Sequence, residues 1–175
     1  RSFRAPDQRD PYNPFFSRRA FQGEAGLDSK IVLKDSLVLD TTINPDFAQV
    51  ESDDPQVTAN RRFEVYFPEK RPFFLENAGF FDTPIELVFT RRIADPTYGV
   101  RLSGKTGPYA LGILVADDRS PGAEVPDTDP MFGSRAQYSI VRVNRDIFRQ
   151  STIGLIYTDR EYAGSFNRIG GIDTR

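Results

Sequence analysis

The sequence predicts an all-β protein: an antiparallel up-and-down meander with one long irregular insert that carries a short helix. Three observations predict it. Runs of about eight to eleven residues alternate large apolar side chains with polar or small ones, the two-residue period of a strand. The runs follow one another through short turns, which antiparallel neighbours allow and parallel ones do not. Aromatics make up 13% of a 175-residue chain that is only 38% hydrophobic, with 15 Phe and 7 Tyr. Such a chain can pack a core and is not disordered throughout.

Residues 1–25 are rich in Pro, Arg and Phe without a period and read as an extended arm, leaving 26–175 as the β domain. Residues 26–43 read as a hairpin: Ile31 and Leu33 lead into a turn at Lys34–Ser36, and Leu37, Leu39, Thr41 and Ile43 alternate on the way out. Residues 44–84 form the insert. NPDFAQVESDDPQ is acidic and bounded by prolines, VTANRRFEVYF suits a short helix with Phe63 and Phe67 at i, i+4, and PEKRPFFLENAGFFDTP returns to Pro, charge and Phe. A connection this long has its own packing or function. IELVFTRR (85–92) opens a run of strands, followed by 98–105, 109–117, 135–145, 151–159 and a further strand at 166–175. In 109–117, Tyr109, Leu111, Ile113 and Val115 share one face; Ala110, Gly112 and Ala116 lie on the other.

Composition closes several routes. The chain has no Cys, His or Trp, and 23 Lys+Arg balance 25 Asp+Glu for a net charge of −2. Cysteine nucleophiles, disulfides, zinc knuckles, Ser-His-Asp triads and imidazole metal sites cannot be built. No cofactor is indicated. A near-neutral chain lacks the basic face a nucleic-acid partner requires. No apolar run approaches the ~18 residues of a transmembrane helix. The chain opens on Arg1 without a leader pattern and reads as a processed or excised piece.

Alternation fits two containers. A soluble sandwich or barrel buries the large apolar face; a membrane barrel turns that face to lipid and the small or polar face to the lumen. Bilayer-spanning strands need about 9–11 residues, which 109–117, 135–145 and 151–159 meet. Counted from 85–92, one end of the meander carries 106–108 and 146–150, and the other carries 93–97, which is short, with the longer 118–134 and 160–167. Outer-membrane barrels show this asymmetry, with the longer loops outside. On this count the insert joins 85–92 from the periplasmic end and either stays in the periplasm or folds into the lumen.

Three pieces, NPDFAQVE (44–51), FPEKRPFFLE (67–76) and FTRRI (89–93), with LSGKTGPYALGIL (102–114) matching in pattern, give a sharper pointer. Over about residues 26–160 the chain resembles a family of bacterial outer-membrane β-barrels of unassigned function. Those proteins often carry a carbohydrate-binding-module family 9-like domain before the barrel. The chain departs from that family's pattern at Ala48, where Gly is usual, and at Asn77 and Ala78, where a Gly-containing turn is usual. The resemblance implies the first strands of a longer outer-membrane barrel, with the rest of that barrel or another chain at the open strand edges. The bilayer is then the main partner and the cell envelope the location. The implied role is structural, or that of a channel or receptor linked to carbohydrate use. Sugar binding by the upstream domain is not carried over. The alternative is a soluble exported β domain that binds or hydrolyses carbohydrate.

Candidate site residues lie in and beside the insert. Glu69, Lys70 and Arg71 stand between Pro68 and Pro72, which resist helix and ladder pairing, and Phe73 and Phe74 follow. They suit a lumenal plug or gate, or a loop anchored by its aromatics with Glu69 paired to its basic neighbours. Arg61, Arg62, Arg91 and Arg92, with Arg101 and Lys105, could line a basic lumen wall or neutralise nearby carboxylates. Asp46, Glu51, Asp53 and Asp54 are weak candidates for a hard cation, since they lack EF-hand spacing. No pair among the carboxylates, Glu69 with Glu76 included, is marked out as catalytic.

Overall fold

Where a tight turn separates two alternating runs, the strands pair directly, and this happens along most of the chain. The computed structural model describes residues 25–33, 36–45, 68–123 and 125–175. Its strands are β1 (Leu27–Leu33), β2 (Leu37–Ile43), β3 (Pro96–Thr106), β4 (Tyr109–Asp118), β5 (Ala136–Ile147), β6 (Ser151–Tyr162) and β7 (Ser165–Thr174). They form one seven-stranded antiparallel sheet in the order β1-β2-β3-β4-β5-β6-β7. The sheet is all-β and up-and-down, as the alternation predicts. It is open, with β1 and β7 at its two edges.

Three expectations are corrected. Residues 85–92 form no strand; they run irregularly into a 3-10 turn, Thr90–Arg92. The cause is competition for an edge: β3 pairs with β2 in full register from Leu37↔Gly104 to Ile43↔Tyr98, so no ladder remains for 85–92. The 160–167 connection shrinks to a two-residue turn, because Ala163 (φ 48°) and Gly164 (φ 78°) both take the left-handed conformation that joins twisted strands tightly. Pro72 starts a helix rather than resisting one: the single-turn helix α1 (Pro72–Leu75) has Pro at its first position, where the missing N–H costs nothing. The arm, the acidic stretch and the helix expected around Phe63–Phe67 lie outside the described residues.

Losing one strand changes the parity of the meander. The connections 34–36, 107–108 and 148–150 share one end, which is the turn end. The connections 44–95, 119–135 and 163–164 share the other, the loop end. The insert therefore runs from 44 to 95 and leaves from the same end as the 119–135 loop, not from the opposite one.

The register fixes two faces. One carries Asp40, Thr42, Gly99, Arg101, Ser103, Gly112, Leu114, Ala116, Tyr138, Ile140, Arg142 and Ile156, and is here called inner; the insert lies on it. The core forms between them. Phe74, Phe81 and Ile93 from the insert meet Leu114, Ala116, Ala136, Tyr138 and Ile140, with Phe73, Phe80 and Val88 packed alongside. The outer face carries Leu27, Ile31, Leu33, Ile43, Tyr98, Val100, Tyr109, Ile153, Leu155, Tyr157 and Ile172, all exposed.

Candidate functional site

The described part of the insert, 68–95, is held by three sets of contacts. The first is internal. The Arg71 guanidinium is fully buried and grips Glu69: Nε donates to Oε1 at 2.8 Å and Nη2 to Oε2 at 2.8 Å. Its remaining donors reach the carbonyls of Ile93 and, at 2.9 Å, Thr90. The Phe74 ring lies beneath it, 4.3 Å from the centroid. Glu69 also accepts from the Thr90 hydroxyl (2.6 Å) and from the backbone N–H groups of Lys70 and Arg71. Burial pushes the Glu69 carboxyl up, but the hydrogen bonds from Arg71 and Thr90 and the Arg71 charge outweigh it and hold it down at about 2. The latch joins the two ends of the segment around residues 69–71 and 90–93.

The second set seats aromatic rings on glycines. A Cβ at Gly99 would stand 2.8 Å from the Phe73 ring, and one at Gly112 would stand 3.0 Å from that of Phe81. Neither residue has the positive φ that would require glycine. Gly in a strand interior costs about 0.5–1 kcal/mol relative to Ala, so close approach of the insert accounts for both. Arg101 completes the seat. Its Nη2 donates to Asp40 at 2.6 Å, Nη1 donates to the Phe73 carbonyl, and its guanidinium lies 5.3 Å from the Phe73 ring centroid. Glu76 lies 3.8 Å from Arg101 and pairs with Lys30 of β1, whose hydrogen bond holds the Glu76 carboxyl below its usual range.

The third set clamps the base. Asp118, fully buried at the end of β4, accepts from the N–H groups of Ala94 (3.1 Å), Asp95 (2.8 Å) and Ser120 (3.1 Å). Arg119 grips Asp95 with Nε and Nη2 and also reaches the Asn44 side-chain oxygen at 2.9 Å. Asn44 and Asp95 are the two ends of the connection, so Asp118 at the end of β4 and Arg119 just beyond it tie both.

Of the candidate site residues, Glu69, Lys70 and Arg71 stand together in the latch. Arg91 donates to the Pro68 carbonyl (3.2 Å), and the Arg92 carbonyl accepts from Tyr138 (3.3 Å). Both arginines sit in the 3-10 turn and not on a strand of the sheet. Arg101 is on the inner face, and Lys105 lies 3.9 Å from Asp146. Arg61, Arg62, Asp46, Glu51, Asp53 and Asp54 lie outside the described residues. Among the described residues no three acidic side chains gather as a metal site would need. Neither Glu69 nor Glu76 has the raised carboxyl of a general acid. Sequence reasoning missed Gly99, Gly112, Asp118 and Arg119. The small face of 109–117 was the available signal for Gly112.

On β5–β7, Arg142 reaches across β6 over Gly154 to pair with Asp173 through both terminal nitrogens. Among the described residues, four of the five buried side-chain polar atoms without a hydrogen-bond partner lie on the same inner face, Thr42 Oγ1, Arg101 Nε, Ser103 Oγ and Arg142 Nε; the fifth is Asp159 Oδ1.

Fold and site together define an open antiparallel β-sheet with an apolar, exposed outer face and an aromatic insert packed on an inner face that combines an apolar core with buried arginines. The chain belongs to the family described as a domain of unknown function (DUF5916), whose family model matches residues 10–105, more than half of its length. No curated protein and no solved structure matches it.

Proposed function

We propose that this chain forms part of an outer-membrane β-barrel, with β1–β7 as a stretch of wall, the outer face on lipid and the insert in the lumen. The carrying observation is the shape of the apolar band on the outer face. On the loop-end side it reaches Ile43 on β2 and Tyr98 on β3. It stops at Val115 on β4, before Asp117; at Val141 on β5, before Ser139; and at Tyr157 on β6, before Asp159. From Tyr98 to Tyr157 the boundary drops two pleats of about 6.6 Å each over three strand spacings of about 4.8 Å, a slope of roughly 40°. Barrel strands tilt by about 35–45° to the membrane normal, so a level bilayer edge crosses the strands at such a slope. Ion pairs stand beyond that edge, Arg135 with Asp117 and Arg168 with Asp159 and Glu161, together with the exposed ring of Phe166. The inner face suits a wet lumen, where water can satisfy buried groups such as Ser103 and Arg142. A soluble sandwich would need a second sheet over the outer face.

The short-turn rule orients the wall: the turn end faces the periplasm, and the loop end, with the insert and 119–135, faces the cell exterior. The role is structural, or that of a channel or receptor, and the resemblance to barrels that follow a family 9-like carbohydrate-binding module points to carbohydrate use. Among the described residues no helix is long and apolar enough to cross a membrane, so strands carry the proposal.

These 175 residues contain no cysteine, so a single cysteine placed among them is read against the unaltered protein as control. In intact cells making the full-length protein, Phe132→Cys should react with a membrane-impermeant maleimide, and Arg149→Cys should react only after lysis. The reverse pattern would invert the orientation. A full-length protein that stays in the soluble fraction, monodisperse without detergent, would overturn the membrane reading.

A further inference from the structure

Among the described residues, no backbone hydrogen bond joins residues 68–93 to any strand; such bonds appear only at the base, from Asn44 to Thr97 and from Arg119 to Asp95. Among these residues the contacts between are made by side chains: the core of Phe74, Phe81 and Ile93 on Leu114, Ala116, Tyr138 and Ile140, rings over Gly99 and Gly112, Arg101 on the Phe73 carbonyl, Glu76 on Lys30, and Tyr138 on the Arg92 carbonyl. Internally the segment is closed on itself by the Arg71–Glu69–Thr90 latch. A body that coheres internally, is tied at one end and touches the sheet only through side chains can lift off without unzipping a ladder. Its footprint covers the inner face over β3–β5, which in a closed barrel is lumen cross-section.

We propose that residues 68–95 are a resident plug that obstructs the barrel's passage, seated on the Gly99 and Gly112 sockets and released as one body about the Asp118–Arg119 clamp. The proposal rests on the barrel reading above and adds to it that the wall is not an open pore at rest. A solute then passes only when the plug lifts, and the inner face it meets is mixed: apolar at Leu114, Ala116, Tyr138 and Ile140, where the plug sat, and polar beside them at Arg101, Asp40, Ser103 and Arg142.

The test uses the full-length protein in lipid vesicles and planar bilayers, in three forms: unaltered, Gly99→Val with Gly112→Val, and residues 69–92 replaced by a Gly-Ser linker. Flotation with vesicles is read first and conductance second. The expected result is that all forms float, the unaltered protein conducts little, and both variants conduct several-fold more. If all three float and conduct alike, the plug is refuted and the barrel stands. If the unaltered protein does not float, the barrel reading fails and takes the plug with it. Should the valine pair alone misfold, the linker variant, which leaves both sockets intact, decides by the same comparison.

Discussion

Leu155 and Ile156 are consecutive on β6, yet Leu155 is 48% exposed on the outer face and Ile156 is 2% exposed on the inner one. The contrast runs through the whole sheet. Large aliphatic side chains stand bare outside, while three arginines, Arg71, Arg101 and Arg142, are buried inside. In an ordinary soluble domain the larger apolar face meets the core, and charged groups are almost never fully buried unless paired. Here the inner arginines are paired, with Glu69, Asp40 and Asp173, and glycines rather than bulky residues receive the insert. The difference teaches that each face is matched to a different surrounding. The outer face presents large apolar side chains with no protein cover among the described residues, which the barrel proposal assigns to lipid. The inner face needs specific partners and tolerates water.

The largest effect comes from removing the buried charge that closes the insert on itself. Arg71→Ala removes the partner of Glu69 and the donor to two carbonyls. Truncating one side of a buried pair costs about 3–5 kcal/mol. The expected result is that trypsin gains access to Lys70, Arg91 and Arg92 while the β-sheet circular dichroism is kept. A segment that stays protected would show that the sockets alone hold it.

The neighbouring pair on β6 tests the comparison itself. Ile156→Ala should lower unfolding stability by about 2–5 kcal/mol, the range for emptying a packed site. Leu155→Ala should cost much less, because lipid or solvent fills the space. Equal losses at the two positions would mean that the outer face is covered. Leu155→Arg sharpens the same point: in vesicles it should weaken insertion by about 2–4 kcal/mol, and in a soluble fold it would matter little at so exposed a position.

Much of the sheet was legible because alternation, turn spacing and pairing agree. The strands 98–105, 109–117, 135–145 and 151–159 correspond to β3–β6 within a few residues. IELVFTRR reads as strongly apolar, and its failure to become a strand follows from the β2–β3 pairing, a long-range fact that no local window contains. That one element also reversed the end from which the insert leaves, since parity depends on every strand counted. The Glu69–Arg71 pairing was visible as adjacent opposite charges. Their partner Thr90 and the clamp at Asp118 and Arg119 were not, because they act across 21 to 75 residues of sequence. The sockets were half visible: smallness showed at Gly112, but nothing in the sequence said which ring would fill it.

The smallest effect is a titration, and it separates the latch from the rest of the inner face. Glu69 is held at about 2 against an ordinary 4.5, so the folded state prefers it ionised. A depressed carboxyl contributes stability that is fully present above its unfolded value and is lost as pH falls through the folded one. The latch should therefore weaken between about pH 4.5 and 2 and be indifferent to pH at neutrality. Other carboxylates titrate over the same range, Glu76 among them, so the measurement is a difference. Protection of 68–95 against a protease active in acid, followed from pH 6 to 2, should fall more steeply in the unaltered protein than in Glu69→Gln. The Gln variant starts lower, by about 1–3 kcal/mol for the lost charge-assisted bonds, and lacks this component of the slope. Parallel curves would place the acid sensitivity outside the Glu69 latch. The contact that yields first would then not be the latch within the insert.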